Sequence, residues 1–493
     1  MSLKTLLQGM VEISPAEDVW IEDMTQDSRQ VRAGSLFCAL AGSNGRGHDY
    51  IADAKANGAV AIIADTGISE LADLDIPIIE LSGLRQRLGG LAARFYGEPS
   101  SGMTVVGITG TNGKTSVSRY LAQAMSDDHN SAVIGTLGNG ILGKETTATH
   151  TTPDAISLQA ILADLQQQEA EYVAMEVSSH GLDQGRVSGV RFDTTVFTNL
   201  SRDHLDYHGD MESYAAAKAE LFRWPGLKHA VLNLDDPYSQ VLIEHMSPDV
   251  EIVGYSLSPE YVETSYRQLR AIKVVTSSEQ VIVDVDSSWG QGSFKTTLLG
   301  RFNISNALAV LATLLVQGVA FTEALSRMSR LTAVAGRMER FGGGELPLVV
   351  VDYAHTPDAL QQVLSSLRDY VRGSLVCVFG CGGERDQGKR PQMAAIAEQY
   401  ADTVVITNDN PRGESPESII NAIKSGLNNP AKAVIEMDRH VAIQQAIRSA
   451  NKGDVVLVAG KGHEDYQIIN GQMLHFDDRE EAQLALSKMG EQG

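Results

Sequence analysis

Three observations predict an α/β fold of three domains. The 493 residues correspond to roughly three domains at about 150 residues each. Short β-branched runs alternate with helix-length segments through the middle and last parts of the chain, the pattern of strands joined by covering helices. Two composition breaks, near residues 100 and 336, interrupt the alternation with Gly- and Pro-rich turns. The balance of 43% hydrophobic and 21% charged residues is that of a globular chain able to bury sizeable cores.

The first segment, residues 1–100, closes with the helical pattern RQRLGGLAARFYGEPSSG, which runs out in Gly97, Pro99, Ser100, Ser101 and Gly102. The strand MTVVGITG opens the second segment, residues 101–336. That segment ends where an apolar helix gives way to LTAVAGRMERFGGGELP. In residues 337–493, the runs LVVVDYAH, SLVCVFGCGG, DTVVITNDN and DVVLVAGKG are apolar without alternation and end in polar or Gly-rich loops. Continuous apolar strands indicate a parallel sheet covered on both faces, and the loops at their carboxyl ends are where ligands bind.

Forty Lys+Arg against 62 Asp+Glu leave a net charge of −22. Nucleic acid and anionic membrane surfaces repel such a chain, so neither is an expected partner, although a local basic pocket for an anionic ligand is compatible with it. The three cysteines, Cys38, Cys377 and Cys381, form no CxxC pair, which excludes a disulfide scaffold and a zinc ribbon and fits a reducing cytosol. The start MSLKTLLQGMVEIS is too short in apolar residues for a signal peptide, and no apolar run reaches the ~18 residues of a membrane span. A soluble, cytoplasmic, monomeric protein is expected.

The strongest local signal is VVGITGTNGKTS, residues 105–116. A strand runs into a Gly-rich turn and a helix opens at Lys114. Backbone N–H groups of Gly110, Thr111, Asn112 and Gly113, with the helix N-terminus at Lys114, Thr115 and Ser116, suit a nucleotide phosphate. Lys114 adds a cation, and the Thr115 hydroxyl is placed for Mg²⁺. Ile108 stands where the strict GxxxxGK[ST] pattern has its first glycine, so a plain strand–helix turn is the alternative to an ATP site.

TGTNGKTS resembles the phosphate loop of the Mur ligase family, ATP-dependent enzymes that join amino acids to a nucleotide-linked muramoyl peptide. The resemblance continues through TTPD (151–154), AMEVSSHGLDQGRV (174–187), FTNLSRDHLDYHGDMESYAAAK (197–218), VLNLDD (231–236), GRFNISNALA (300–309), GRMER (336–340), VDYAHTPDAL (351–360), FGCGGERDQGKRP (379–391), DNPR (409–412) and AGKGHEDYQ (459–467). It spans all three expected domains. It implies a nucleotide-sugar-binding α/β domain over 1–100, a P-loop ATPase-like domain with a parallel sheet over 101–336, and a Rossmann-like, amino-acid-binding domain over 337–493. The implied activity is ATP- and Mg²⁺-dependent addition of meso-diaminopimelate to UDP-N-acetylmuramoyl-L-alanyl-D-glutamate, through an acyl phosphate, in peptidoglycan precursor synthesis.

Glu176 ends the strand YVAME, and His204 lies in the acidic, His-rich run RDHLDYHGD. A carboxylate and an imidazole beside a phosphate loop suit a metal between nucleotide and substrate, and the resemblance marks both as Mg²⁺ ligands with Thr115. Zinc at the His204/His208 pair is the alternative, but no further ligand has zinc spacing; His208 reads as a structural histidine. Lys218, on ESYAAAKAELF, reads from spacing alone as a solvated helix lysine, and an ammonium offers no lone pair to a metal. The resemblance instead implies that Lys218 is carbamylated, its carboxylate serving as a further metal ligand beside the catalytic Lys114.

The resemblance places Thr151, Thr152, Ser178, Gln184 and Arg186 against the muramoyl peptide and its phosphates, Arg186 offering a bidentate fork. It places Ser28, Ser43 and Asn44 against the uridine nucleotide, on short patterns only. Asn303 and Asn306, three apart on a helix opening, share one face and match residues that approach the adenine; Arg337, Asp352, Tyr353 and His355 match residues that close over ATP. In the third domain Arg385, Asp409, Asn410, Pro411, Arg412, Gly460 and Glu464 match the diaminopimelate contacts. Pro411 fixes the turn, Arg412 can clamp the carboxylate by which diaminopimelate differs from lysine, at about 1.5–3 kcal/mol, and Glu464 suits the distal ammonium. The alternatives are a lysine-adding or folylpolyglutamate-synthetase-like relative, against which DNPR and the N-terminal segment argue, a P-loop kinase or ATPase, and a non-catalytic muramoyl-peptide sensor.

Overall fold

The computed structural model describes residues 1–40, 47–65, 75–260, 263–277, 280–469 and 471–490. Ser43 and Asn44 lie outside the described residues. The chain packs as two units, Met1–Gly254 and Tyr255–Gly493.

The first unit opens with helix α1 (Leu3–Leu6), capped by the Ser2 hydroxyl. Strands β1 (Asp23–Thr25), β2 (Ser35–Ala39), β3 (Ala61–Ala64) and β4 (Ile78–Glu80) then pair in sequence order as a small parallel sheet. Strands β2 and β3 are buried along their whole length. Helices α2 (Ile51–Ala56) and α3 (Leu84–Phe95) accompany them; Leu84, Leu88, Leu91 and Ala92 of α3 recur at helical spacing and enter one core with Leu36, Cys38, Ala61 and Ile63.

Strand β5 (Thr104–Thr109) leads into α4 (Lys114–Met125), β6 (Ser131–Gly135), β7 (Gly138–Ile141), α5 (Ala155–Gln167) and β8 (Tyr172–Glu176). There follow α6 (Ser179–Asp183), β9 (Thr194–Phe197), α7 (Leu205–His208), α8 (Met211–Ala219), β10 (His229–Asn233), α9 (Tyr238–Glu244) and β11 (Glu251–Ser256). The sheet order is β11-β10-β9-β5-β8-β6-β7, and β10, β9, β5, β8 and β6 are parallel. β7 is an antiparallel edge. Because β5 is central, with β8 and β9 as its direct neighbours, the loops after these three strands emerge together at the carboxyl end of the sheet.

The second unit begins with an antiparallel meander that the sequence reading did not anticipate: β12 (Arg267–Thr276), β13 (Val281–Ser287) and β14 (Gly290–Thr296). Burial along β13 alternates in the two-residue period of a half-covered strand, unlike the continuous runs that were legible elsewhere. Helices α10 (Arg301–Val316) and α11 (Phe321–Met328) follow. Next come β15 (Glu339–Gly342), β16 (Leu348–Asp352), α12 (Pro357–Leu367), β17 (Leu375–Phe379), α13 (Lys389–Tyr400), β18 (Thr403–Ile406) and α14 (Pro416–Lys424). The unit ends with β19 (Val434–Ile435), α15 (Arg439–Ser449), β20 (Val455–Ala459), the hairpin β21 (Tyr466–Ile469) and β22 (Gln472–His475), and α16 (Asp478–Gly490).

Its sheet order is β15-β16-β20-β17-β18-β19, parallel except for the β15 edge. The predicted apolar runs are β16, β17, β18 and β20, and their alternate residues feed two cores, Val350, Cys377 and Leu457 on one face and Val349, Val378 and Val456 on the other. Two-sided burial is why these strands read as continuous apolar runs. The order reverses around β20, so the loops after β16, β17, β18 and β20 bound one crevice. All three cysteines are free and buried. Among the described residues, no helix is long and apolar enough to cross a membrane.

Candidate active site

Strand β5 runs into Gly110, whose φ of +150° and close approach to Thr198 and Asn199 leave no room for a Cβ. Gly113, at φ +87°, is the N-cap of α4, and no side chain caps that helix. A twelve-residue helix thus opens at Lys114 with its positive end uncapped, the arrangement that favours phosphate. The turn is fastened from behind by Thr198 and Asn199, in the FTNLS run, to which the sequence assigned no role. Thr111 N donates to Asn199 O at 2.8 Å, Asn112 N to Asn199 Oδ1 at 3.0 Å, and Thr198 Oγ1 to Asn112 O at 2.5 Å. The N–H groups of Thr111 and Asn112 are therefore spent on the loop's own support. Lys114 arches over the turn, its Nζ 2.7 Å from Gly110 O and 2.8 Å from Thr111 O.

Glu176, the last residue of β8, is buried beside α4. Thr115 Oγ1 donates to its Oε2 at 2.9 Å, and Thr136 holds the other side through its N–H (2.8 Å to Oε1) and hydroxyl (3.2 Å to Oε2). A hydroxyl and an oriented carboxylate at a helix N-terminus are hard oxygen donors, the set that suits Mg²⁺. Among the described residues, no three or more His, Cys, Asp or Glu side chains gather as a metal cage. An ion here would draw its remaining ligands from phosphate and water, as Mg²⁺ does.

Lys218 overturns the spacing-based expectation of a solvated lysine: it is 1% exposed. Asp210 caps α8 through Ser213 N, and the helix carries Lys218 inward so that Nζ donates to Gly110 O at 2.9 Å. It also lies 4.5 Å from the Tyr214 ring centroid. Burial, reinforced by the Lys114 charge, holds its pKa well below the ordinary lysine value. Tyr214 Oη lies 3.1 Å from Thr111 Oγ1, and burial pushes its pKa up to about 12.

His204 sits at a left-handed φ of +53° and edge-on to His180 at 4.8 Å between ring centroids. Burial lowers its pKa, with the Lys114 charge adding to that effect and Asp203 pulling against it. His208 Nε2 lies 3.0 Å from Ser179 Oγ. His180, which no local pattern in the sequence marks, meets His204, Tyr207 and His208. Burial pulls its pKa down to about 4, so the ring is neutral at pH 7.

Thr151 Oγ1 lies 3.0 Å from Thr136 Oγ1, and the buried Thr152 donates to Glu176 O at 3.0 Å and accepts from Ser178 N at 2.9 Å. Ser178 caps α6 through Gly181 N. Arg186 departs from the expected open fork. Its Nε and Nη2 donate to Gln184 Oε1 at 3.0 and 2.7 Å, and Nη1 to Thr152 O at 2.8 Å. A half-buried guanidinium must satisfy its donors; here it does so on neutral oxygens, which leaves its charge available to an anion. Gln184 Nε2 continues to Tyr207 Oη at 3.0 Å. Ser28 lies apart from this group, beginning a short 3₁₀ turn capped by Asp27.

In the second unit Asn303 and Asn306 are buried on one face of α10, joined at 3.3 Å. Asp352 ends β16 and accepts from Met338 N and Ala354 N at 2.8 Å each; burial raises its pKa, against the pull of Arg337. The Arg337 guanidinium lies 4.5 Å from the Tyr353 ring centroid. His355 follows, with Nδ1 2.8 Å from Tyr353 O.

The loop after β18 carries Asp409, Asn410, Pro411 and Arg412 against the loop after β20. Asp409 Oδ2 closes on Gly460, where an added Cβ would lie 3.0 Å away. Arg412, at φ +53°, is anchored by Nη1 to Gly383 O at 2.9 Å, while Arg385 is exposed on the loop after β17. Asn410 is 2% exposed with its Oδ1 accepting from Ile468 N at 3.0 Å and its Nδ2 donating to Glu464 Oε2 at 3.1 Å. Its side chain serves the loop's interior. Lys461 is fully buried among these groups, although nothing in the local spacing of AGKGHEDYQ signals burial.

An uncapped phosphate loop at the centre of a parallel sheet, with a hydroxyl–carboxylate pair at its helix, defines a nucleotide-using P-loop protein of α/β class. Residues 21–96 match the Mur ligase family, catalytic domain; residues 108–314 the Mur ligase middle domain; and residues 336–462 the Mur ligase, glutamate ligase domain. The UDP-N-acetylmuramoyl-L-alanyl-D-glutamate–2,6-diaminopimelate ligases of Coxiella burnetii and Pseudomonas aeruginosa are 47% and 49% identical, each over 95% of this chain and 96% of the relative. A solved structure of a ligase of that name is 37% identical, covers 99% of both chains and superposes with a TM-score of 0.74. A MurF ligase from Thermotoga maritima in complex with ADP, at 21% identity and a TM-score of 0.60 over 91% of this chain and 95% of that one, shares the fold. The chain belongs to the Mur ligase family, ATP-dependent amide-forming ligases.

Proposed function

We propose that this enzyme joins meso-2,6-diaminopimelate to UDP-N-acetylmuramoyl-L-alanyl-D-glutamate, with ATP cleaved to ADP and phosphate, in the cytoplasmic stage of peptidoglycan precursor synthesis. The observation that carries the reading is the loop after β18. There Arg412 is anchored through one guanidinium nitrogen, 2.9 Å from Gly383 O, two residues after the Asn410 whose amide holds the Glu464 carboxylate, in a chain 47–49% identical to ligases of that specificity. Functionally, residues 1–100 hold the nucleotide sugar, 101–336 the ATP and 337–493 the acceptor amino acid.

The D-glutamyl side-chain carboxylate attacks the terminal phosphorus of ATP, giving an acyl phosphate and ADP. The diaminopimelate amine then attacks the acyl carbon, phosphate leaves, and the amine loses a proton. Lys114 and the N-terminus of α4 take the charge of the transferring phosphoryl, a role of position and field rather than covalent chemistry. Arg186 lends its charge to the muramoyl substrate. Thr115 and Glu176, with His204, would hold Mg²⁺, which when bound would neutralise phosphate charge. Lys218 supports carbamylation, because a buried amine held neutral has the lone pair that adds to CO₂ with loss of a proton, leaving a carboxylate beside the loop.

The test is ADP release with the UDP-dipeptide, Mg²⁺ and either meso-diaminopimelate or L-lysine. Turnover with diaminopimelate alone is expected. Turnover with lysine alone would keep the ligase and discard the Arg412 reading, and release that ignores both amino acids would replace the ligase by a nucleotide hydrolase.

A further inference from the structure

Glu464 is the residue read as taking the acceptor's distal ammonium, and its two carboxylate oxygens are not equivalent. Oε2 receives the Asn410 amide at 3.1 Å and the Lys461 ammonium at 3.3 Å. Oε1 has no hydrogen-bond partner among the described residues, and the side chain is 20% exposed. Lys461 is 0% exposed, its Nζ also 3.2 Å from Asn410 Oδ1 and 5.4 Å from the Tyr466 ring centroid. The backbone closes the same knot: Glu464 N donates to Lys461 O at 2.9 Å.

We infer that Lys461 is a positioning residue for acceptor recognition, pinning one oxygen of Glu464 and the carbonyl of Asn410 so that the second Glu464 oxygen faces the distal ammonium of the amino acid. Two donors on one carboxylate oxygen define the plane of the group, and a carboxylate held in one orientation loses less freedom on binding than a mobile one. The cation also offsets two carboxylates in a confined space. Burial and the nearby Asp409 push the Glu464 pKa up, and the Lys461 charge pulls against them. Burying an ammonium is costly unless it is well paired; Lys461 is paired with the Glu464 carboxylate and the Asn410 side-chain carbonyl. Lys461 and Arg412 thereby divide the acceptor's far end, one serving the ammonium through Glu464 and the other the carboxylate.

The inference rests on the acceptor-site reading above, and its test separates the two. The probe pair is meso-diaminopimelate and 2-aminopimelate, which keeps both carboxylates and lacks only the distal amine. The quantity is the ratio of their kcat/KM values, which a general loss of folded enzyme does not move. In the native enzyme the ratio is expected at about 10- to 150-fold, the range of one charge-assisted hydrogen bond. Lys461→Met should bring it to within about threefold while the KM values for ATP and the UDP-dipeptide hold within about twofold. If the methionine variant is not recovered folded, Lys461→Gln, which keeps a donor to Asn410 without the charge, is read in the same way. A native ratio in a folded Lys461 variant, with Glu464→Gln collapsing it, overturns the inference and leaves the acceptor site standing. A native ratio in Glu464→Gln overturns both.

Discussion

Replacing Arg412 separates its charge from its backbone. The residue stands at φ +53°, a left-handed conformation that costs an ordinary side chain about 1–2 kcal/mol. Its Nη1 bond to Gly383 O at 2.9 Å contributes about 0.5–1.5 kcal/mol in return. Arg412→Ala keeps the backbone strain and loses the bond, so it should cost about 1 kcal/mol of stability. Arg412→Gly also loses the bond but relieves the strain, offset by about 0.5–1 kcal/mol of glycine's unfolded-state entropy, and should stand near the native protein. Both remove the guanidinium proposed to meet the distal carboxylate, so both should lose about 10- to 150-fold in kcat/KM for diaminopimelate, the equivalent of about 1.5–3 kcal/mol. Activity with lysine should be little changed. The assay is ADP release with matched acceptors, alongside thermal melts of the three proteins. If Ala and Gly variants part in acceptor preference while melting together, the turn's shape rather than the guanidinium sets specificity. If neither alters the diaminopimelate-to-lysine ratio, the assignment of Arg412 is wrong.

Other perturbations follow from the same contacts. Arg439→Met strands the Asp478 carboxylate, now paired at 2.7 and 2.6 Å with both partners fully buried; it should cost about 3–5 kcal/mol, most of it recovered by adding Asp478→Leu. Equal urea midpoints for the single and double variants would refute that account. For CO₂-stripped protein, the depressed Lys218 pKa means that, between that value and about 10.4, the unfolded chain binds a proton the folded chain does not. Native stability therefore rises with pH across the window. Lys218→Met should be favoured over native protein at neutral pH, the gap narrowing as pH climbs toward 10, with activity down about a hundredfold or more; urea midpoints that keep a constant gap across pH would contradict it. Thr115→Val should weaken apparent Mg²⁺ affinity about 10- to 100-fold in titrations of ADP release at saturating ATP, and an unmoved midpoint would remove Thr115 from the metal site.

Much of the architecture was legible because it is written in local pattern. Strands buried on both faces show as unbroken apolar runs, which is why β16, β17, β18 and β20 stand where LVVVD, LVCVF, TVVI and VVLVA predict them. The turn at 110–113 was legible because its glycines answer to φ values of +150° and +87°. The meander β12–β14 was not, since its half-exposed strands carry polar residues on alternate positions and resemble surface sequence. Ser43 and Asn44, expected against the uridine nucleotide, fall outside the described residues, and Ser28 is placed without a neighbour that argues for its role.

Sequence alone determined which chemical groups the chain carries to the ends of its strands: a lysine and threonine at a helix N-terminus, a carboxylate after β8, an arginine behind Pro411. Tertiary structure alone decided what state those groups are in. Lys218 sits on a helix whose spacing reads as solvated, yet packing against Gly110 removes its water and its proton affinity together. Arg186 has its fork occupied by Gln184 and Thr152, and Lys461 and Asn410 are turned inward on Glu464. Desolvation and partner choice arise from residues distant in the chain, as Lys218 and Gly110 are 108 positions apart, and no local pattern encodes them.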